Sequence, residues 1–247
     1  APGTSPATLT CSNVTFSGVT SDFFVELNGT TPDSGYDQLN ITGTNNIAGS
    51  ILNASLNFAP LDGQVFTILS NNGTDPTPGI FDGLANNAIL TLNRIPLRIN
   101  YNGGTGNDIT LTVTNLPLAP GTNSVTTGNG DRRIAPNECN LLFLALRNTT
   151  GSILAGIDTT LTTTTPGVII TQPFSAYPNI GAGLTRSNLV PFQVSTTSNF
   201  LCGVDVTLTL NVTTATNGSF ALRYVLPTGV RDTPRSFTNN APVAIPD

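Results

Sequence analysis

One stretch of the chain spaces its oxygen-bearing residues as a calcium loop does. In Thr127-Gly128-Asn129-Gly130-Asp131-Arg132-Arg133-Ile134-Ala135-Pro136-Asn137-Glu138, Thr127, Asn129, Asp131 and Glu138 stand first, third, fifth and last. Arg133 offers its backbone carbonyl between them, and the apolar Ile134 follows it. A hard cation needs converging oxygens, and a loop of about twelve residues delivers them from these positions. Two departures count against the metal. Thr127 stands where an acid is usual, and Arg132 stands where glycine turns the loop. Two adjacent arginines also repel a cation. The alternative is a polar lead-in loop in which Asp131 and Glu138 pair with Arg132 and Arg133. Calcium is the one cofactor the sequence suggests, with Asn129, Asp131, Arg133 and Glu138 as its ligands.

Other constellations are weaker. Gly103-Gly104-Thr105-Gly106-Asn107-Asp108 has the composition of one calcium-binding nonapeptide. Such repeats bind between stacked copies, and a single copy reads better as a hairpin turn. Asp22/Glu26 and Asp33/Asp37 are acidic pairs of the kind glycosidases use. Four residues along a strand separate their carboxylates by about 13 Å, too far for either hydrolytic geometry. They read as solvated surface acids.

Composition removes most remaining chemistry. The chain has no His, Met or Trp, and its nine basic residues are all Arg. Without His there is no Ser-His-Asp or Cys-His catalysis, and without Lys there is no Schiff base. The expectation is a protein that is not an enzyme. A net charge of −5 with no basic cluster argues against nucleic acid. No apolar run is long enough to span a bilayer, so no membrane insertion is expected.

The three cysteines are Cys11, Cys139 and Cys202. Cys139 and Cys202 each lie beside a predicted strand in the second half. A disulfide between them is expected, with two buried free thiols as the alternative. A bridge implies an oxidising compartment and leaves Cys11 buried or joined to a neighbour. Sequons occur at Asn13, Asn28, Asn40, Asn53, Asn72, Asn148, Asn211 and Asn217. They scarcely exceed what a chain this rich in Ser and Thr produces, and need the right host to be glycosylated.

The elements that position these residues read as strands. Only 9% of the chain is charged, so Thr and Asn must coat the surface. Both disfavour helices, and Thr suits a pleated strand. Leu52, Ala54, Leu56 and Phe58 alternate with polar residues, as do Leu97, Ile99 and Tyr101, and then Ile109, Leu111 and Val113. Val204 to Val212 and Phe220 to Leu226 alternate about the turn Asn217-Gly218. A period of two buries one face and wets the other. The pattern stops at Asn115-Leu116-Pro117-Leu118-Ala119-Pro120-Gly121-Thr122. This places a first domain at 1–116, a linker at 117–127 and a second domain at 128–247.

Residues 23–113 resemble the strand repeats of bacterial autotransporter passengers and related giant surface proteins. The similarity lies in Phe24-Val25-Glu26-Leu27-Asn28-Gly29-Thr30-Thr31-Pro32, Gly35-Tyr36-Asp37-Gln38-Leu39, Phe66-Thr67-Ile68-Leu69, Gly79-Ile80-Phe81-Asp82-Gly83-Leu84 and Ile99-Asn100-Tyr101-Asn102-Gly103-Gly104. In that family such segments form or cap a β-solenoid. The second half resembles immunoglobulin-like modules through Ile134-Ala135-Pro136-Asn137-Glu138-Cys139, Thr164-Thr165-Pro166-Gly167-Val168 and Phe200-Leu201-Cys202-Gly203. The resemblance implies an all-β chain, a short β-solenoid segment followed by an immunoglobulin-like β-sandwich. It also implies a fragment of something larger, since Ala241-Pro242-Val243-Ala244-Ile245-Pro246-Asp247 resembles the lead-in to a further β-domain, while the opening Ala1-Pro2-Gly3-Thr4 reads as a mature, processed or excised start.

The expected function is a non-enzymatic structural or adhesive module, secreted to the cell surface. Its partners are neighbouring modules or copies of itself, joined into a filament by strand addition, or a surface glycan or protein. The rival is a carbohydrate-binding accessory module of a secreted hydrolase. Against it stand the absence of Trp and the placement of Tyr101 and Tyr224 on apolar strand faces.

Overall fold

Strands thirty residues apart lie side by side in the first half. The computed structural model describes residues 5–16, 18–73, 75–127, 130 and 133–228. It is all-β, with several open sheets and almost no helix. β1 (Thr8–Cys11), β2 (Val14–Thr15) and β3 (Asp22–Leu27) make one circuit of chain, and β4 (Gln38–Ile41), β5 (Asn45–Asn46) and β6 (Ile51–Leu56) make the next. β1 pairs with β4, β2 with β5 and β3 with β6, all parallel. β7 (Val65–Asn71) continues the first ladder, again parallel to β4.

Polar side chains bond along the same repeat. Asn40 reaches Thr10 across 30 positions, Thr44 reaches Asn13 across 31 and Asn57 reaches Asn28 across 29. Inside, each circuit buries the apolar residues that alternate with these: Phe23, Val25 and Leu27, then Leu39, Ile41 and Ile47. A third circuit begins with Pro78 to Asp82, bonded to Ile47, Gly49 and Ser50. It then departs, and among the described residues no strand pairs with the outer edge of β6.

An antiparallel meander closes this end. β8 (Ile89–Leu92), β9 (Ile95–Gly103) and β10 (Asp108–Val113) follow, and β10 lies antiparallel on β7. Asn93 and Arg94 join β8 to β9 with φ of 46° and 68°. Two positive φ values are what a two-residue hairpin requires for its twist to match the strands. A bulge where β10 meets β7 lets both Ile68 and Leu69 point inward.

The second half is two facing sheets. β11 (Leu118–Thr127), β12 (Cys139–Asn148), β17 (Phe192–Thr196) and β14 (Val168–Gln172) neighbour one another in that order, with β16 (Thr185–Ser187) also on β12. The other sheet runs β15 (Phe174–Tyr177), β13 (Ile157–Thr163), β18 (Val206–Thr214), β19 (Gly218–Leu226). Leu142, Leu144 and Val194 of one sheet and Leu208, Leu210 and Leu222 of the other share a buried core.

The expected linker 117–127 is therefore corrected: all but its first residue is strand β11, antiparallel to β12. Its Pro120 and Gly121 sit where the register shifts, between Pro120 and Asn123. A proline has no N–H to give a ladder, and a bulge on an edge strand is where that loss is tolerated. The two halves also touch. Ala221 of β19 exchanges hydrogen bonds with Pro60 and Asp62, and Arg94 donates to the carbonyl of Ala215.

Candidate functional site

The expected calcium loop is only partly visible. Asn129 and Asp131, with Gly128 and Arg132, lie outside the described residues. Ile134 is buried. One Glu138 oxygen accepts the N–H of Ala135 at 2.9 Å, and the N–H of Glu138 donates to the Thr196 hydroxyl at 3.0 Å. Glu138 thus ties the start of β12 to β17. Among the described residues no three His, Cys, Asp or Glu side chains gather as a metal cluster.

The expected bridge between Cys139 and Cys202 is not formed, and all three cysteines are free. Strand parity explains it. On β12 the inward positions are Asn140, Leu142 and Leu144, so Cys139 points to solvent. Cys202 lies in the turn between Phe200, which is buried, and β18. A disulfide needs the two Cβ atoms to face one another.

The acidic residues combine differently from the pairs noted in the sequence. Asp37 is fully buried. Its carboxylate accepts the N–H groups of Ala7 at 2.8 Å and Glu26 at 2.9 Å. The Ser5 hydroxyl lies within hydrogen-bond reach of both Asp37 and Glu26. A buried carboxylate satisfied in this way fastens strands together. Residues 103–108 form the turn between β9 and β10, as a hairpin. There Asp108 accepts the N–H of Asn71, and the Asn107 amide donates to the carbonyls of Gly73 and Asp75.

All four tyrosines are buried. The Tyr177 hydroxyl donates to the carbonyl of Leu144 and the Tyr224 hydroxyl to that of Ala145. Burial raises the pKa of every one of them. No tyrosine is left to form a surface platform. Among the described residues the exposed rings are Phe24, on β3, and the more accessible Phe174, at 62% on edge strand β15. Phe174 lines a shallow groove of about 570 Å³ with Asp158, Thr160, Val190 and Asn211. Register across β15, β13 and β18 brings Phe174, Thr160 and Asn211 together.

Two further features bear on the site. Among the described residues no strand pairs with the outer side of the first circuit, β1, β2 and β3, where Asp33 takes the N–H of Thr8 and Asp37 bonds Glu26. Its inward residues Cys11, Val14 and Phe16 are half-buried, whereas Ile41 and Ile47, which occupy matching places in the next circuit, are fully buried. Charge is also segregated. All nine arginines lie at Arg94 or beyond, while seven of the 14 acidic residues precede it. With no basic residue against those seven, residues 1–93 carry a formal −7; nine arginines against the other seven acids leave +2. Asp22, Glu26 and Asp33 belong to the open circuit.

No family model matches the chain, and no curated protein matches it. Among the described residues no helix is long and apolar enough to cross a membrane.

Proposed function

We propose that this chain is a non-enzymatic structural and adhesive module of a large extracellular surface protein, and that it joins its neighbours by strand addition. The first half is read as a short β-solenoid capped by the β8–β10 meander. What supports this is the set of parallel ladders repeating every 29 to 31 residues. The second half is read as an immunoglobulin-like sandwich, supported by its two facing sheets and their strand order. A surface coated in Thr and Asn suits an extracellular module.

The observation that carries the proposal is the open first circuit. Ala7 and Cys11 turn their carbonyls toward β4, so the alternate residue Thr10 directs its backbone groups outward. On β3, Ser21 and Leu27 bond toward β6, which leaves Phe24 directed outward. An unpaired edge above a half-covered core is an acceptor for another strand. The partner is a second copy, because the acidic first half and the arginine-bearing second half favour head-to-tail contact. Identical contacts of that kind generate an open filament.

Sedimentation velocity and electron microscopy over a range of protein and salt concentrations test this. End-to-end association that weakens with salt is expected. Thr10→Pro should abolish it without unfolding the monomer, since proline removes an N–H that has no partner among the described residues. A strictly monomeric protein, association untouched by Thr10→Pro, or efficient hydrolysis of a polymer would overturn the proposal.

A further inference from the structure

We infer that the outer face of the β15–β13–β18–β19 sheet carries a binding site for a neutral pyranose glycan, centred on Phe174. The inference goes beyond the assembly proposed above and does not depend on it. Register assembles the site. Phe174 lies directly opposite Thr160, and Thr160 directly opposite Asn211, so the three form one row across three strands. Asp158, two residues before Thr160 on β13, begins the next row beside Thr213. All these side chains point away from the core, because Thr159, Leu161, Ser175 and Tyr177 take the inward positions.

The chemistry of the row suits a sugar. A pyranose has an apolar face of C–H groups and a rim of hydroxyls. The exposed Phe174 ring, flanked by Val190, offers an apolar surface for that face. Neighbouring strands stand about 4.8 Å apart, close to the width of a sugar ring. Thr160 and Asn211 are thus spaced to meet the rim of a sugar stacked on Phe174. A hydroxyl both donates and accepts. Asp158 supplies acceptors only, and Thr160 and Asn211 supply both. Asp158 and Thr160 have no side-chain partner among the described residues. Asn211 makes two long contacts of 3.5 Å to Thr160 and Thr162, which a ligand can displace. The absence of Arg from this lining fits a neutral glycan over an anionic one.

The loop before β17 makes the wall. Asn188 is buried and accepts the N–H of Leu144 at 2.8 Å while its amide donates to the Val190 carbonyl at 2.6 Å. The Val190 N–H donates to the Ser175 hydroxyl at 3.0 Å. Val190 is therefore held beside Phe174 before any ligand arrives.

The test uses the whole chain produced without glycosylation, because Asn211 itself lies in a sequon. It is applied to an array of neutral and acidic oligosaccharides, and hits are titrated by calorimetry. Binding to neutral oligosaccharides is expected. Phe174→Ala and Asp158→Ala should each weaken it by about tenfold or more, which corresponds to about 1.4 kcal/mol. Both residues are exposed, so the unfolding midpoint should stay in place and mark the loss as local. An array without neutral hits, binding that survives Phe174→Ala, or capture of peptides in place of sugars overturns the inference. Self-association is read separately, so failure here leaves the assembly proposal standing, and the reverse.

Discussion

The hydroxyl of Tyr224, on β19, donates to the carbonyl of Ala145, on β12, across the sandwich at 2.7 Å. That carbonyl lies beside the bulge that Pro120 and Gly121 force between β11 and β12. A Cβ on Gly121 would come within 2.9 Å of the Ala145 carbonyl oxygen, so the bulge also needs glycine there. Tyr224→Phe takes the hydroxyl partner from the buried Ala145 carbonyl. The loss should be about 1–3 kcal/mol in chemical denaturation, with the fold retained. A change within error would show that other groups satisfy the bulge.

Asp37 should matter as a fastener. Asp37→Ala removes the acceptor for Ala7, Glu26 and Ser5 at once. Stability should fall by roughly 1–3 kcal/mol, because the orphaned N–H groups are partly buried. Asp37→Asn should not rescue it, since its amide would face N–H donors. Hydrogen exchange at Ala7 and Glu26 is the local readout, and unaltered protection there would count against this role.

The buried tyrosines set an alkaline limit. The ordinary phenol pKa is 10.0, and burial raises it at Tyr36, Tyr101, Tyr177 and Tyr224. The folded state therefore holds these protons more tightly than the unfolded one. The stability they contribute is fully present below the unfolded value and lost as pH climbs toward the folded values. Urea midpoints should fall above about pH 10, with tyrosinate absorbance appearing alongside unfolding. Ionisation of these phenols in the folded protein would contradict it.

Phe81 holds the partial third circuit. It is fully buried, stacks on Phe23 with centroids 5.8 Å apart, and lies 6.1 Å from Tyr101. Tyr101 accepts the Phe81 N–H and donates to the Leu84 carbonyl. Phe81→Ala should cost about 3–5 kcal/mol by leaving a cavity between the stack and its cap. Calorimetry that finds a loss well below this would mean the segment repacks.

Cys139 should react with a thiol reagent in the folded protein without prior reduction, because it is exposed and unpaired. Intact mass after labelling counts the thiols. A folded protein that takes up no label at Cys139 would restore the bridge to Cys202.

Much of the architecture is local information. The alternation of Val206, Leu208, Leu210 and Val212, and of Phe23, Val25 and Leu27, states which side chains go inside, because a strand presents successive residues to opposite faces. The same alternation is silent on partners. β3 and β18 read alike, yet β3 lies parallel to a strand 29 residues on, while β18 turns back at once on β19. The Pro and Gly of β11 look like a linker until a partner strand makes them a bulge.

By itself, then, the sequence determined the strand class, the absence of histidine and lysine chemistry, and the inward faces. Those follow from side-chain chemistry and from a period of two. Only the tertiary structure decided that Cys139 faces solvent, that Asp37 is buried, that the first circuit is open, and that Phe174, Thr160 and Asn211 share a row. Each of these depends on which distant strand lies alongside and in what register. Pairing energy is spread over backbone groups that every residue carries, so residue types leave it unspecified.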